Sequence, residues 1–266
     1  MVNKDYKAFI VEGESREPLI IDNISKVFFS HSNFKIITLP VSQNIYMLWK
    51  KLKLDDFETD IIEVLREEHK ELEKQLYGLN RDDFSEIYLF FDYDGHQENL
   101  GYEKGTDVLE QMLTSFNNET ENGKLYISYP MVEALRDFEV GKCGKEEQCF
   151  VSILDMDKYK FLSATRSAYP RFKDYDFIIW KEIINVFVLR IFCLMKNNKI
   201  SYKEYIETVN PLEIYIMEEN EIKKQRVFIL SSFPEFLLDY FGVRLWNTCV
   251  KYTVNYLEKQ NCHRLF

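Results

Sequence analysis

The run at residues 87–91 (IYLFF) is apolar at every position, and it constrains the fold more than any other segment. A strand without alternation has to be covered on both faces, which is typical of a central strand in a parallel sheet. Upstream, residues 6–11 form a β-rich run, 17–30 have helical spacing of apolar residues, and 34–39 are rich in β-branched residues. This strand–helix–strand order predicts an α/β fold with a parallel-rich sheet flanked by helices.

The domain prediction follows from the segments around that sheet. Residues 42–80 have the spacing of two helices, the second capped by Asp55 or Asp56 and extending to about residue 76, so we expect a helical insertion there. A helix over about 106–116 and a strand over 124–128 complete the sheet region, and we predict a catalytic domain over residues 1–137. Residues 138–266 are expected to form a mainly helical region packed on it, with helices at about 149–166, 174–197, 201–209, 212–224 and 233–259.

Charge is distributed unevenly along the 266 residues. The formal net charge is −10, and residues 1–137 carry −12 of it whereas residues 138–266 carry +2. This acidity argues against a protein that coats nucleic acid passively. It is compatible with an enzyme that meets phosphates through a metal ion and a local basic patch.

Cysteine usage and hydropathy indicate the compartment. The five cysteines are odd in number and form no CxxC pair, so we expect reduced thiols. The first residues lack the apolar core of a secretory signal, and charged residues interrupt the most apolar later stretch, 177–195. We therefore expect a cytoplasmic protein without a membrane span.

Acidic residues follow two of the predicted strands. Glu12 comes after the strand at 6–11, and Asp92 and Asp94 come after the strand at 87–91. Because the carboxyl ends of neighbouring parallel strands meet at one edge of a sheet, these carboxylates are expected to converge if their strands are neighbours. Acids facing one another repel unless a cation neutralises them, and carboxylates are the ligands that Mg²⁺ prefers.

Two neighbouring features bear on that metal-site hypothesis. Gly13 follows Glu12 and allows a sharp turn at the strand end. A second Asp-x-Asp, at Asp155 and Asp157, does not end an apolar strand and is typical of a solvated turn. An acidic turn is also the alternative for Asp92 and Asp94, and Glu12 is the residue that favours a metal site there.

The order strand–Glu-Gly–helix–strand followed by strand–Asp-x-Asp–helix–strand resembles the Toprim domain. That domain is shared by topoisomerases, bacterial primases, ribosomal-RNA maturases and the overcoming-lysogenisation-defect nucleases. The resemblance covers residues 6–137 and depends on the motifs VEGES at 11–15 and FDYDG at 91–95. It implies that Glu12, Asp92 and Asp94 bind Mg²⁺, for which Mn²⁺ can substitute, and that Glu12 also serves in acid–base chemistry.

The chain contains neither a recognisable catalytic-tyrosine domain of topoisomerases nor a primase zinc motif, so it is most similar to the stand-alone nuclease branch of the family. This resemblance implies a metal-dependent phosphodiesterase that cleaves RNA, including transfer RNA, or DNA. By the same resemblance we expect a toxic effector of a bacterial anti-phage defence system. A regulatory partner, for instance an ATPase, would restrain this effector. The sequence also leaves open whether the chain forms a homodimer.

Further residues are candidates for the same chemistry, each with a structural alternative. Glu133 could be another metal ligand or only a charge at a helix start, and His96 could contact phosphate or be a bystander. Lys124 could contact the scissile phosphate or be solvated at a strand edge, and Glu14 and Glu17 could line the first motif. A basic–aromatic cluster could grip a nucleic-acid backbone or be an ordinary surface loop; it comprises Arg166, Arg171 and Lys173 with Tyr169 and Phe172.

Two other functions remain open from the sequence. The Toprim-like acids could serve a non-catalytic interaction module that binds a partner or a regulatory metal. Alternatively, Asp92 could be the nucleophile of a phosphatase or phosphotransferase, because the motif FDYDG is similar to the Asp-x-Asp of haloacid-dehalogenase-like enzymes. Those enzymes have the motif near the chain start, and this alternative leaves Glu12 unexplained.

Overall fold

The structure is a computed structural model that describes residues 6–54, 56–93, 108–137, 149–196 and 200–250. Its elements through the sheet region are β1 (Tyr6–Val11), α1 (Arg16–Phe28), β2 (Lys35–Pro40), α2 (Ile45–Leu54), α3 (Ile61–Glu68), β3 (Phe84–Asp92), α4 (Val108–Ser115), β4 (Asn117–Asn118) and β5 (Gly123–Ser128). The later elements are β6 (Phe150–Ser152), α5 (Met156–Arg166), α6 (Phe177–Leu194), α7 (Tyr202–Thr208), α8 (Pro211–Ile222), β7 (Arg226–Phe228) and α9 (Ser232–Cys249).

The described strands β1 to β5 form one sheet in the order β2-β1-β3-β5-β4. β1 is parallel to both of its neighbours, with Ala8 opposite Ile37 of β2 and Ile87 of β3, and the short β4 is antiparallel to its neighbour β5. The predicted α/β class with a mostly parallel sheet flanked by helices is therefore confirmed. β3 is the middle strand, as its continuous apolar sequence predicted.

The sheet is held by apolar and aromatic packing at its centre. Ile87 and Leu89 of β3 are fully buried. Phe9 of β1 stacks on Phe90 of β3 at a ring-centroid distance of 5.8 Å, and Phe90 stacks on Tyr126 of β5 at 5.6 Å. Each such aromatic pair contributes about 0.5–1.5 kcal/mol beyond the burial of its area. The ladder of rings therefore stabilises the lateral order of β1, β3 and β5.

The segment between β2 and β3 is helical, but its second helix differs from the prediction. We predicted one helix from Asp55 or Asp56 to about residue 76, whereas α3 is only eight residues long. Asp56 has a φ of 54° and Phe57 a φ of 63°, which a right-handed helix does not allow. Asp60 is the true N-cap, because its side chain accepts the N–H groups of Ile62 and Glu63.

The later part of the chain contains a small sheet that the sequence prediction missed. β6 pairs antiparallel with β7, with Val151 opposite Val227. The helix predicted over 149–166 therefore begins only at Met156, after the strand and one turn of 3₁₀ helix. Strands of three residues are too short to show an alternating pattern, which is why periodicity favoured a helix here.

The chain forms two compact units, residues 1–126 and residues 127–266. The first contains nearly all of the five-stranded sheet and its insertion, and the second contains α5 to α9 with the β6–β7 pair. The domain boundary after residue 137 stays a prediction. Within the described ranges, no helix is long and apolar enough to cross a lipid bilayer.

Candidate metal site

Glu12 lies directly beyond β1 and is hydrogen-bonded to the end of β3. Its main-chain N–H donates to the carbonyl of Phe90 at 3.2 Å and so continues the parallel ladder by one residue. Its side-chain Oε2 accepts the main-chain N–H of Asp92 at 3.1 Å. Two residues 80 positions apart in sequence are thus joined at the carboxyl edge of the sheet, and the Glu12 carboxylate lies beside the first acid of the Asp-x-Asp motif.

The loop after β2 closes over the same end of β1. The N–H of Val41 donates to the carbonyl of Val11 at 2.9 Å, and the N–H of Ser42 donates to the carbonyl of Glu12 at 2.9 Å. The hydroxyl of Ser42 also donates to the Glu14 carboxylate. Ser42 has a φ of 51°, an uncommon conformation for a residue with a side chain. These contacts hold both the main chain of Glu12 and the side chain of Glu14.

The Glu17 carboxylate occupies the space beside Gly13 that a side chain would take. A Cβ built on Gly13 would lie 2.6 Å from Oε2 and 2.9 Å from Oε1 of Glu17, which is closer than atoms of this kind approach. The N–H of Gly13 donates to Glu17 Oε1 at 3.2 Å. Glu17 is 7% exposed and stands in the first turn of α1, where a carboxylate is favoured by the helix dipole.

Asp92 is the last residue of β3 and is half-buried, and its main-chain N–H contacts the Glu12 carboxylate. Asp94 and His96, the other predicted residues of this motif, lie outside the described residues. Among the residues that are described, no group of three or more His, Cys, Asp or Glu side chains is arranged to hold a metal ion. At this edge the Glu12 carboxylate contacts the main chain of Asp92, and the carboxylates of Glu14 and Glu17 contact Ser42 and Gly13.

This donor set fits Mg²⁺ chemically. Mg²⁺ takes oxygen ligands and keeps several waters, so in phosphate-handling sites one or two carboxylates plus substrate phosphates are enough to bind it. Glu12 is half-buried, and its carboxylate Oε2 is positioned by the N–H of Asp92. A further carboxylate from Asp94, two residues beyond Asp92, would complete the predicted set.

Lys124 and Glu133 are positioned by other parts of the fold. Lys124 lies in β5 opposite Asn117 of β4, and its Nζ is 5.8 Å from the centre of the Tyr126 ring. Its neighbour Gly123 packs against Ile87 and Leu89, so Lys124 enters the sheet several residues before the end of β3. Glu133 lies in a turn of 3₁₀ helix in the second unit and is 1% exposed, so it is a buried acid and not a charge at an open helix start.

The basic–aromatic cluster consists largely of internal contacts. Arg166 forms an ion pair with the buried Asp137 at 2.6 Å, and Arg171 pairs with Asp174 at 2.6 Å. The hydroxyl of Tyr169 donates to Glu182 at 2.9 Å. The ring of Phe172 is buried, whereas Lys173 is exposed. Arg166 thus neutralises a buried acid within the second unit, which the sequence pattern did not indicate.

Sequence reasoning weighed Glu17 as a residue near the first motif but missed Ser42. The Gly13–Glu17 spacing of four residues across a strand-to-helix turn is the signal that favours a carboxylate folding back on the glycine. Ser42 gives no such signal, because its contact with the Glu12 carbonyl depends on the pairing of β1 with β2.

No protein-family model matches this chain, and neither a curated protein nor a solved structure is significantly similar to it. The functional proposal therefore depends on the residues of the site and on the resemblance carried by its two motifs.

Proposed function

We propose that the chain is a Toprim-like, Mg²⁺-dependent phosphodiesterase whose centre is formed by Glu12, Asp92 and Asp94. The observation that carries this proposal is the hydrogen bond from the Asp92 N–H to the Glu12 carboxylate, 3.1 Å long. This bond joins the Glu12 carboxylate to the main chain of Asp92, so residues 80 positions apart in sequence are adjacent at one edge of the sheet. Acids that serve one cation need this convergence at the carboxyl ends of neighbouring parallel strands.

Each residue has a role that follows from its position. Asp92, and Asp94 by the family resemblance, would hold the cation by their carboxylates. Glu12 would share the cation, and its Oε2 is held by the Asp92 amide. Bound Mg²⁺ polarises a phosphate and lowers the pKa of a coordinated water. The protein's contribution would be a Glu12 carboxylate held by the main chain of Asp92 in a partly buried position.

The order of elements supports the Toprim-like part of the proposal. The Glu-Gly motif follows β1, α1 and β2 come next, and the Asp motif follows β3, which is parallel to β1 and adjacent to it. The helical segment between β2 and β3 is an insertion relative to a minimal domain of this kind. The later part of the chain, which is mainly helical, would then be an addition to the catalytic domain.

Substrate and context rest on the family resemblance alone. We propose RNA, including transfer RNA, or DNA as substrate, and an effector role in anti-phage defence. A nuclease of this kind harms its host, so a regulatory protein such as an ATPase would restrain it in a cytoplasmic setting.

The test is a cleavage assay on the purified full chain with RNA, transfer RNA, and single- and double-stranded DNA. We expect cleavage with Mg²⁺ or Mn²⁺, none with a chelator, and a loss of at least about 100-fold in Glu12→Gln, because such a site accelerates cleavage mainly by stabilising the charge that develops in the transition state. The matched control is Asp157→Asn, which alters the exposed acid of the second Asp-x-Asp and should leave cleavage unchanged. Equal cleavage by the wild type and by Glu12→Gln would contradict the proposal.

The outcome of the same assay separates the two alternatives. Binding of Mn²⁺ without cleavage of any nucleic acid would favour an interaction module that uses the metal for regulation. A covalent phosphate trapped on Asp92 would favour a phosphatase or phosphotransferase. The Asp92→Asn variant should form no such adduct in that case.

A further inference from the structure

The peptide group that joins Glu12 to Gly13 is held from both sides. On one side its carbonyl accepts the N–H of Ser42 at 2.9 Å. On the other side its N–H donates to Glu17 Oε1 at 3.2 Å. Because a peptide group is planar, hydrogen bonds to both its C=O and its N–H fix its orientation. The direction in which the Glu12 side chain leaves the strand depends on that orientation.

Glu17 reaches this peptide group only because residue 13 is glycine. Both carboxylate oxygens of Glu17 lie within 2.9 Å of the position that a Cβ on Gly13 would take. Glu17 is 7% exposed, so its carboxylate cannot move aside without leaving a protected position. Ser15, the residue before α1, makes no side-chain cap hydrogen bond, and Glu17 instead reaches back past it to Gly13. The first turn of α1 is thereby tied to the end of β1.

We propose that Glu17 is a positioning residue that orients the Glu12 carboxylate for cation binding through the Gly13 amide. This inference rests on the proposed metal site. It assigns Glu17 no contact with the cation, in keeping with the finding that the described residues contain no group of three metal-ligating side chains. The role needs a hydrogen-bond acceptor at position 17 but no negative charge there. A ligand role would need the charge.

That difference makes the proposal testable by Mn²⁺ binding to the full chain, measured by electron paramagnetic resonance without any substrate. Glu17→Gln keeps an oxygen that can accept the Gly13 N–H, so its affinity should stay within about 3-fold of the wild type. Glu17→Ala removes the acceptor and should weaken binding by about 10- to 100-fold, the usual effect of losing a group that orients a metal ligand. Gly13→Ala should weaken binding similarly, because its Cβ displaces the carboxylate.

The double variant Gly13→Ala/Glu17→Ala gives a second readout. If Glu17 acts only through Gly13, the double variant should bind Mn²⁺ no more weakly than the worse single variant, since the clash and the contact disappear together. Urea unfolding of each variant identifies any that does not fold. If Glu17→Ala is such a variant, the comparison of Glu17→Gln with Gly13→Ala decides the matter.

Three results would overturn this inference. Glu17→Gln binding as weakly as Glu17→Ala would make the charge essential and Glu17 a ligand. Wild-type affinity in both Glu17→Ala and Gly13→Ala would remove the role altogether. Losses in the two single variants that simply add in the double variant would show that the two residues act separately. The underlying metal site fails in a different way, namely if Glu12→Gln binds Mn²⁺ as tightly as the wild type.

Discussion

The buried acid Glu218 predicts an unusual dependence of stability on pH. Glu218 lies on α8 with no solvent exposure, and its Oε2 accepts the N–H of Phe228 in β7 at 3.0 Å. Its Oε1 has no hydrogen-bond partner among the described residues. Burial raises the pKa of Glu218 well above its usual value of 4.5; the Phe228 hydrogen bond opposes this effect, and the nearby Glu221 adds to it. Burial therefore favours the neutral, protonated form of Glu218 in the folded protein.

The sign and size of the effect follow from proton linkage. Since the pKa of Glu218 is higher in the folded than in the unfolded state, the folded state binds more protons between those two pKa values. Its contribution to stability is fully present below pH 4.5 and is lost as pH rises toward the folded pKa, by about 1.4 kcal/mol per pH unit. Glu218→Gln stays neutral and can still accept the Phe228 N–H, so it lacks this loss.

The assay is urea unfolding of the wild type and Glu218→Gln at about pH 5, 6 and 7. The free energy of unfolding of the variant minus that of the wild type should rise with pH, by at most about 1.4 kcal/mol per pH unit while the pH lies below the folded pKa. The matched control is Glu219→Gln at the next position of α8, whose exposed carboxylate pairs with Lys223 at 3.3 Å. The control should show no such slope. A difference between Glu218→Gln and wild type that stays constant over this pH range would refute the assignment of a neutral Glu218.

The same unfolding assay at neutral pH tests three further contacts. Arg166→Ala should lower the free energy of unfolding by about 3 kcal/mol. The substitution removes the cation that lies 2.6 Å from the carboxylate of Asp137, which is only 3% exposed. A loss under about 1 kcal/mol would contradict this. Gly123→Ala should lower the free energy of unfolding by about 1–3 kcal/mol. The added Cβ would lie 2.5 Å from Leu89 Cδ1, and the backbone φ of 106° disfavours any residue with a side chain. An unchanged free energy of unfolding would refute that packing. Asp60→Ala should cost about 1 kcal/mol through loss of the α3 cap, and a stabilising effect would argue against it.

Arg171→Ala is the control for Arg166→Ala. Its ion pair with Asp174 is exposed on both sides, so its loss should change stability by less than about 1 kcal/mol. A large effect of Arg171→Ala would mean that the two ion pairs do not differ as their exposure indicates.

The sheet could be predicted from the sequence because its strands carry strong local patterns. β3 is continuously apolar and lies in the middle, and β1, α1 and β2 lie close to their predicted bounds. The predicted start of α3 was wrong because three acids, Asp55, Asp56 and Asp60, are all plausible caps. The positive φ angles at 56 and 57 and the hydrogen bonds that Asp60 accepts show which one acts. β6 and β7 escaped prediction because they stabilise each other although they lie far apart in the sequence.

Some contacts of the candidate residues could likewise be predicted from the sequence, and others could not. Glu12 follows β1 and Asp92 ends β3, so a contact between Glu12 and the main chain of Asp92 could be inferred once the strands were assumed to be parallel neighbours. The pairing of Arg166 with Asp137 could not be inferred from the sequence. A basic residue in a polar loop has the same local pattern whether it faces solvent or a buried acid. Contacts that depend on tertiary packing produce no periodic pattern of residues in the sequence.

The most direct test of the metal site is a crystal of the full chain grown with Mn²⁺ and measured for anomalous scattering. We expect an anomalous peak in coordination contact with the carboxylate oxygens of Glu12 and Asp92, and no peak at that place in Glu12→Gln. An anomalous map without a peak between these two carboxylates, or with Mn²⁺ bound only at Asp155 and Asp157, would contradict it.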